Sequence, residues 1–164
     1  MNTRFLKHRL TPPTSYQVID TLDHARKRFA IVSNRLDYLG KFLGVGRKID
    51  TGGFELWARC MKGEATALKE MQEYCDGDIK LLESVYLEML PWIQPHPNIG
   101  LYVNSDVPVC PSCGSDDLEE AGVYVTTMNT YPEHKCNNCG ANSRSRKSNT
   151  SKQIKERLMS SLPK

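Results

Sequence analysis

Four cysteines fall in two pairs, "CPSC" at 110–113 and "CNNC" at 136–139, with twenty-two residues between Cys113 and Cys136. Zinc takes four soft ligands in a tetrahedron, and two tight Cys-x2-Cys turns supply four thiolates. Gly114 and Gly140 follow the two pairs and let the chain turn back beneath an ion. The spacing predicts a structural Zn2+ site at Cys110, Cys113, Cys136 and Cys139. All four positions are cysteine, so none is left open for catalysis. Two disulfides are the alternative reading, and nothing else in the sequence points to secretion. His134, two residues before Cys136, is expected at the surface and not as a ligand.

A second candidate lies in "EYCDGDIKLL", residues 73–82. Leu68, Met71, Cys75, Leu82, Val85 and Met89 recur at the spacing of a core-facing helical stripe. Asp78 stands where that stripe should continue, and the adjacent Gly77 costs a helix about 1 kcal/mol relative to alanine. A carboxylate facing a core is expensive unless it is paired or bound to a metal. Tyr74 lies one turn earlier on nearly the same face. A hydroxyl there can hold a water beside a metal-bound acid. Gly77 leaves room for another backbone or a nucleic-acid strand. The alternative places Asp78 at the edge of the stripe, bonded to an arginine or a helix cap.

The third feature is charge. The chain has 164 residues and a net charge of +3. From Arg144 onward there are seven Lys/Arg (Arg144, Arg146, Lys147, Lys152, Lys155, Arg157, Lys164) against one acid, Glu156. That end is therefore +6 and the remainder −3. A basic end on a mildly acidic body suits a polyanion, DNA or RNA. Arg144, Arg146, Lys147 and Lys152 are the candidate phosphate contacts, because they adjoin the cysteine module. A solvated tail is the alternative. Tyr124 and Tyr131 are expected to pack along strands, with base stacking as the other role.

The elements that must position these groups can be outlined. Residues 2–10 suggest a short helix before Pro12-Pro13, "YQVID" at 16–20 a short strand, and "TLDHARKRF" a helix with a possible cap at Thr21. "SNRLDYLGKFLG" suggests a helix capped by Ser33 and ended by Gly44. "TGGFELWARCM" suggests another, and residues 64–90 one long helix stopped by Pro91. Cys60 and Cys75 are read as small core residues. Three prolines in "PWIQPHPNIG" suggest a linker. "EAGVYVTTM" has strand composition, and "SKQIKERLMSSL" has helical potential. The fold class is α+β: a mostly helical body followed by a small β zinc ribbon. No apolar run reaches the roughly 18 residues of a membrane span. No apolar leader opens the chain, so a cytoplasmic location is expected.

"EYCDGDIKLLESVYLEMLPW" resembles the YxxxD motif of DEDD-type 3′–5′ exonucleases with a ribonuclease H-like fold. "RFLKHRLTPP", "VIDTLDHARKRF", "SNRLDYLGKFLG", "TGGFELWARCM" and "HPNIG" resemble, in order, the second half of phage-encoded and bacterial proteins of that family, which often end in a short zinc ribbon. The resemblance covers residues 2 to about 145. With the linker, ribbon and tail read from the residues themselves, it gives four segments: 1–92 a truncated ribonuclease H-like exonuclease domain, 93–106 a linker, 107–145 a zinc ribbon and 146–164 a basic tail. It also implies two-metal chemistry, with Asp78 as the last acidic ligand of Mg2+ or Mn2+ and Tyr74 orienting the attacking water. The family's upstream acidic motifs, a D-x-E strand and an N-x3-F-D segment, have no counterpart in these residues. Asp20 is read as a helix cap, and Asp37 and Asp76 as solvated.

One inward carboxylate cannot hold two ions. The expected function is therefore that of a nucleic-acid-processing protein, inactive alone, completed by a second chain or hidden in a self-associated form. A remnant or a misassigned start would account for the pattern equally. The alternative is a DNA- or RNA-binding, or protein-interaction, module without catalysis.

Overall fold

The computed structural model describes residues 2–162. Lys164, counted with the basic end, lies outside the described residues. Helices α1 (Asn2–Lys7), α2 (Thr21–Arg28), α3 (Leu36–Leu43), α4 (Phe54–Met61) and α5 (Ala65–Met89) precede strands β1 (Leu118–Val125), β2 (Thr130–Cys136) and β3 (Asn142–Arg144), and α6 (Lys152–Arg157) follows. The chain is α+β: the strands form one antiparallel sheet in the order β1-β2-β3, and the helices before them form the body. No described helix is long and apolar enough to cross a membrane.

Helix α5 is the spine of the body. Its inward residues are Ala67, Met71, Tyr74, Asp78, Leu81, Val85 and Met89, spaced by threes and fours. Ala67 and Val85 are fully buried. Met71, Val85 and Met89 of the expected stripe lie inward, but Leu68, Cys75 and Leu82 give way to their neighbours Ala67, Tyr74 and Leu81. Leu68 is 50% exposed and Leu82 42% exposed, and Cys75 lies on the outside. Two candidate stripes run side by side on α5, and tertiary packing chooses between them. Ala25 of α2, Leu39 of α3 and Ile93 close over Leu81, Val85 and Met89 to form the core. Gly40 permits this closeness, because a Cβ there would lie 2.7 Å from both the Gly46 carbonyl oxygen and Leu81 Cδ1.

Helices α4 and α5 form a hairpin. Arg59 pins it, its guanidinium reaching Glu64 at 2.6 Å and Glu70 at 3.1 Å. Cys60, expected in the core, is only half-buried. The Asp20 side chain accepts the N–H groups of Leu22 and Asp23, as a helix cap should. Asp20, and not Thr21, is therefore the cap of α2. Arg35 replaces the expected Ser33 as the N-cap of α3, and Ser33 Oγ instead accepts the Arg35 N–H. Gly44, at φ 73°, ends α3 as expected.

Residues 16–20 form no strand. Strand composition realises itself only beside another strand, and the single sheet of the described residues lies elsewhere. The stretch expected as a linker begins inside the core, since Ile93 is 2% exposed. It continues as a bridge to the ribbon. The Ile99 N–H donates to the Pro111 carbonyl at 2.8 Å, and Ile99 and Val103 pack under Gly114.

The body is open. Accessible area totals 13201 Å2, against about 8,200 Å2 for a compact monomer of this mass. Val18, Phe54, Trp57, Met61 and Ile79 all face outward, each more than half exposed.

Candidate metal centre and nucleic-acid interface

Two turns of identical design carry the cysteines. The Gly114 N–H donates to the Cys110 carbonyl, and the Gly140 N–H to the Cys136 carbonyl, each at 2.8 Å. Cys110 N–H bonds the Ser115 carbonyl, and Cys136 N–H the Ala141 carbonyl. Gly114 and Gly140 have φ of 80° and 76°, so the left-handed turn asks for glycine at both. Register places Cys136, the last residue of β2, opposite Leu118, the first of β1. The second pair is thereby swung over the first.

The four Sγ atoms lie within 4.8 Å of one another. Cys110 to Cys139 and Cys113 to Cys136 are both 3.6 Å. A zinc–sulfur bond of about 2.3 Å requires a tetrahedral edge of about 3.8 Å. A disulfide requires about 2.05 Å, and all four cysteines are free. The donor set thus fits a tetrahedral metal such as zinc.

The surroundings prepare for thiolates unequally. Burial pushes the Cys110 thiol up, opposed by the N–H groups of Cys113 and Ser112. Burial also pushes Cys139 up, and the neighbouring thiols add to it. Burial acts on Cys113 too, but the Asn138 amide, the Ser115 N–H and the thiols of Cys139 and Cys136 outweigh it and draw Cys113 down to about 7. A bound divalent cation would supply the positive charge that lets all four ionise. His134 is not part of the cluster; its Nε2 lies 3.4 Å from Ser145 Oγ.

Asp78 does face inward, and its partner is a lysine. Lys48 Nζ lies 2.6 Å from Asp78 Oδ2 and donates to the Tyr74 hydroxyl at 3.1 Å. The same ammonium sits 5.3 Å from the centre of the Tyr74 ring. The Asp78 and Tyr74 hydrogen bonds hold the Lys48 pKa above its ordinary value, against the opposing effect of burial. Asp78 Oδ1 is buried and has no protein partner among the described residues. Asp37, expected to be solvated, holds this lysine's loop: its Oδ1 accepts the Lys48 main-chain N–H at 3.0 Å, and its Oδ2 pairs with Lys41 at 2.6 Å. Asp76 is exposed.

The space at Gly77 is filled by a side chain of this same chain. A Cβ there would lie 2.8 Å from Ile49 Cδ1. Among the described residues only the four cysteines form a group of three or more side chains able to hold a metal, and Asp78 belongs to no such group. Lys48 and Asp37 were missed by sequence reasoning. Neither lies on a periodic face, and no spacing ties "GRKID" to a residue thirty positions later.

The sheet carries the third group. Arg144 faces Glu133 across the β2–β3 ladder, and Tyr124 faces Tyr131 across β1–β2. The Arg144 guanidinium carbon lies 4.0 Å from the Tyr131 ring centre and 5.7 Å from that of Tyr124. Arg144, Arg146, Lys147 and Lys152 are all exposed. The segment after β3 is tied to the ribbon: Ser145 N–H bonds the Pro132 carbonyl, Asn149 N–H the Thr130 carbonyl, and Thr150 Oγ1 accepts the Thr130 N–H at 2.7 Å. The basic segment therefore leaves the ribbon at about residue 150 and not at 146. Beyond it only α6 is helical, and Lys152 pairs loosely with Glu156 at 3.9 Å.

No family model, curated protein or solved structure matches this chain.

Proposed function

We propose that this chain is the nucleic-acid-binding part of a nucleic-acid-processing assembly and does not cleave by itself. One observation carries the reading. A ribbon built to hold a metal runs, through β3, straight into Arg144, Arg146, Lys147 and Lys152, and the hydrogen bonds at 145–150 hold the first three against it. Cations fixed in place lose less entropy on meeting a phosphate chain than cations on a free tail. Zinc would act here as a staple for the strands. DNA and RNA are equally suited to such contacts.

The second reading concerns the body. Its resemblance to the C-terminal half of a two-metal 3′–5′ exonuclease is supported by an inward Asp78 with one unpartnered oxygen and by the large exposed apolar area. A completing chain would cover that area and bring the further acids that Mg2+ or Mn2+ needs. The Lys48 ammonium would have to leave Asp78 for an ion to take its place.

Both readings are tested with the zinc-loaded chain and end-labelled single-stranded DNA and RNA in Mg2+ or Mn2+. The expected result is a retarded but intact strand, the same for wild type and Asp78→Ala. Shortening from the 3′ end that disappears in Asp78→Ala contradicts the first reading. Absence of any retardation at low salt removes nucleic-acid binding altogether.

A further inference from the structure

We infer that the sheet face bearing Tyr124, Glu133 and Arg144 takes an unpaired nucleobase of a single strand, and prefers a base that presents an exocyclic amino group. The inference rests on the nucleic-acid-binding reading and assigns its parts: bases to the sheet, phosphates to the basic segment.

Register puts these groups on one face. Tyr124 opposes Tyr131, Gly122 opposes Glu133, and Glu133 opposes Arg144. The face is open above Gly122, where an added Cβ would meet no atom within 4 Å. Tyr124 is 46% exposed. The Arg144 guanidinium carbon sits over the Tyr131 ring, 4.0 Å from its centre. Tyr124, its ring centre 5.7 Å from the same carbon, adds a half-exposed aromatic surface on which a base can stack. Gln94, Tyr124, Glu133, Asn142 and Arg144 line a groove of about 360 Å3, near the small end of the range for ligand clefts.

Charge decides which part of the nucleotide enters. Glu133 makes no ion pair among the described residues, although it stands opposite Arg144. A free carboxylate beside the stack repels phosphate. It accepts hydrogen bonds from base amino groups, such as N4 of cytosine. Duplex DNA hides its bases between neighbours, so a shallow flat face of this kind favours a single strand.

The test measures fluorescence anisotropy of labelled oligo(dC), oligo(dT) and a duplex of equal length with the zinc-loaded chain. The expected order is oligo(dC) tightest, oligo(dT) about tenfold weaker, and the duplex weakest. Tyr124→Ala should lose about tenfold or more on oligo(dC), and Tyr124→Phe should retain it. Glu133→Gln should erase the dC/dT difference, because an amide can donate as well as accept. Zinc content measured on each variant guards against a misfolded ribbon. Equal affinity for single strand and duplex, unchanged in Tyr124→Ala and Glu133→Gln, overturns the inference and leaves phosphate binding standing. No binding to any of the three overturns the underlying reading too.

Discussion

Breaking the Lys48–Asp78 pair should destabilise the body, and the two partners should cost different amounts. Lys48 and Asp78 side chains are 33% and 24% exposed, so the pair lies between the surface and buried limits. A hydrogen bond to a charged group contributes about 1.5–3 kcal/mol, and a fully exposed ion pair at most about 1. In Asp78→Asn, the long Lys48 stem can carry its ammonium into water, so the loss should be about 1–1.5 kcal/mol. In Lys48→Met, the carboxylate is left with both oxygens unpartnered, since Asp78 Oδ1 is already without one. That loss should reach about 2–3 kcal/mol, a drop in melting temperature of roughly 4–12 °C. Urea unfolding followed by circular dichroism at the helical minimum reads both, with an unchanged slope confirming a comparable transition. Two variants within about 0.5 kcal/mol of wild type, or a more stable Asp78→Asn, would show that the pair does not hold the body together.

Three further outcomes follow. Gly77→Ala should be neutral or stabilising by up to about 1 kcal/mol, because helix propensity improves and the obstacle is only the half-exposed tip of Ile49, whereas Gly40→Ala should destabilise by about 1–3 kcal/mol, because the obstacle includes the Gly46 carbonyl; chemical denaturation checks the opposite signs. Arg59, aided by Thr66, holds the Glu64 carboxyl down to about 2. A depressed carboxyl stabilises the folded state above its unfolded pKa, so the α4–α5 hairpin should lose that contribution as pH falls from about 4.5 through about 2, and Arg59→Gln should return the Glu64 carboxyl midpoint, read by carbon NMR, to the ordinary range. Lys48 has the opposite sign: its raised pKa makes its contribution fully present below the ordinary lysine pKa and lost in strongly alkaline solution, which Lys48→Met should abolish in an alkaline unfolding titration.

The cysteine site was legible because its ligands repeat a local motif. Each Cys-x2-Cys turn is specified by residues adjacent in sequence, and the strand between the turns, "EAGVYV", carries the β-branched and aromatic content that β1 uses. Helix α5 was legible as an element, as were its approximate ends. Its orientation was not. Leu68, Cys75 and Leu82 match the helical period as well as Ala67, Tyr74 and Leu81, and only the helices packed above reveal which set is covered. The same holds for Asp78: its inward position was readable, but Lys48 approaches from a loop with no period of its own. "YQVID" failed for a related reason, since a strand is a relation between two segments and no described segment pairs with this one. Ile93 shows the reverse error. Prolines on either side made it look like a linker, yet its own side chain completes the core.

The central claim, that a metal-stapled ribbon presents a basic segment to nucleic acid, is tested most directly by one salt titration. Affinity for a labelled single strand is measured over a range of salt with the zinc-loaded chain and again after a chelator has removed the metal. If Arg146, Lys147 and Lys152 each neutralise one phosphate while Arg144 stacks, the logarithm of the binding constant should fall against the logarithm of salt with a slope of about −2, and metal removal should weaken binding at every salt. A flat salt dependence, or identical curves with and without metal, would contradict it.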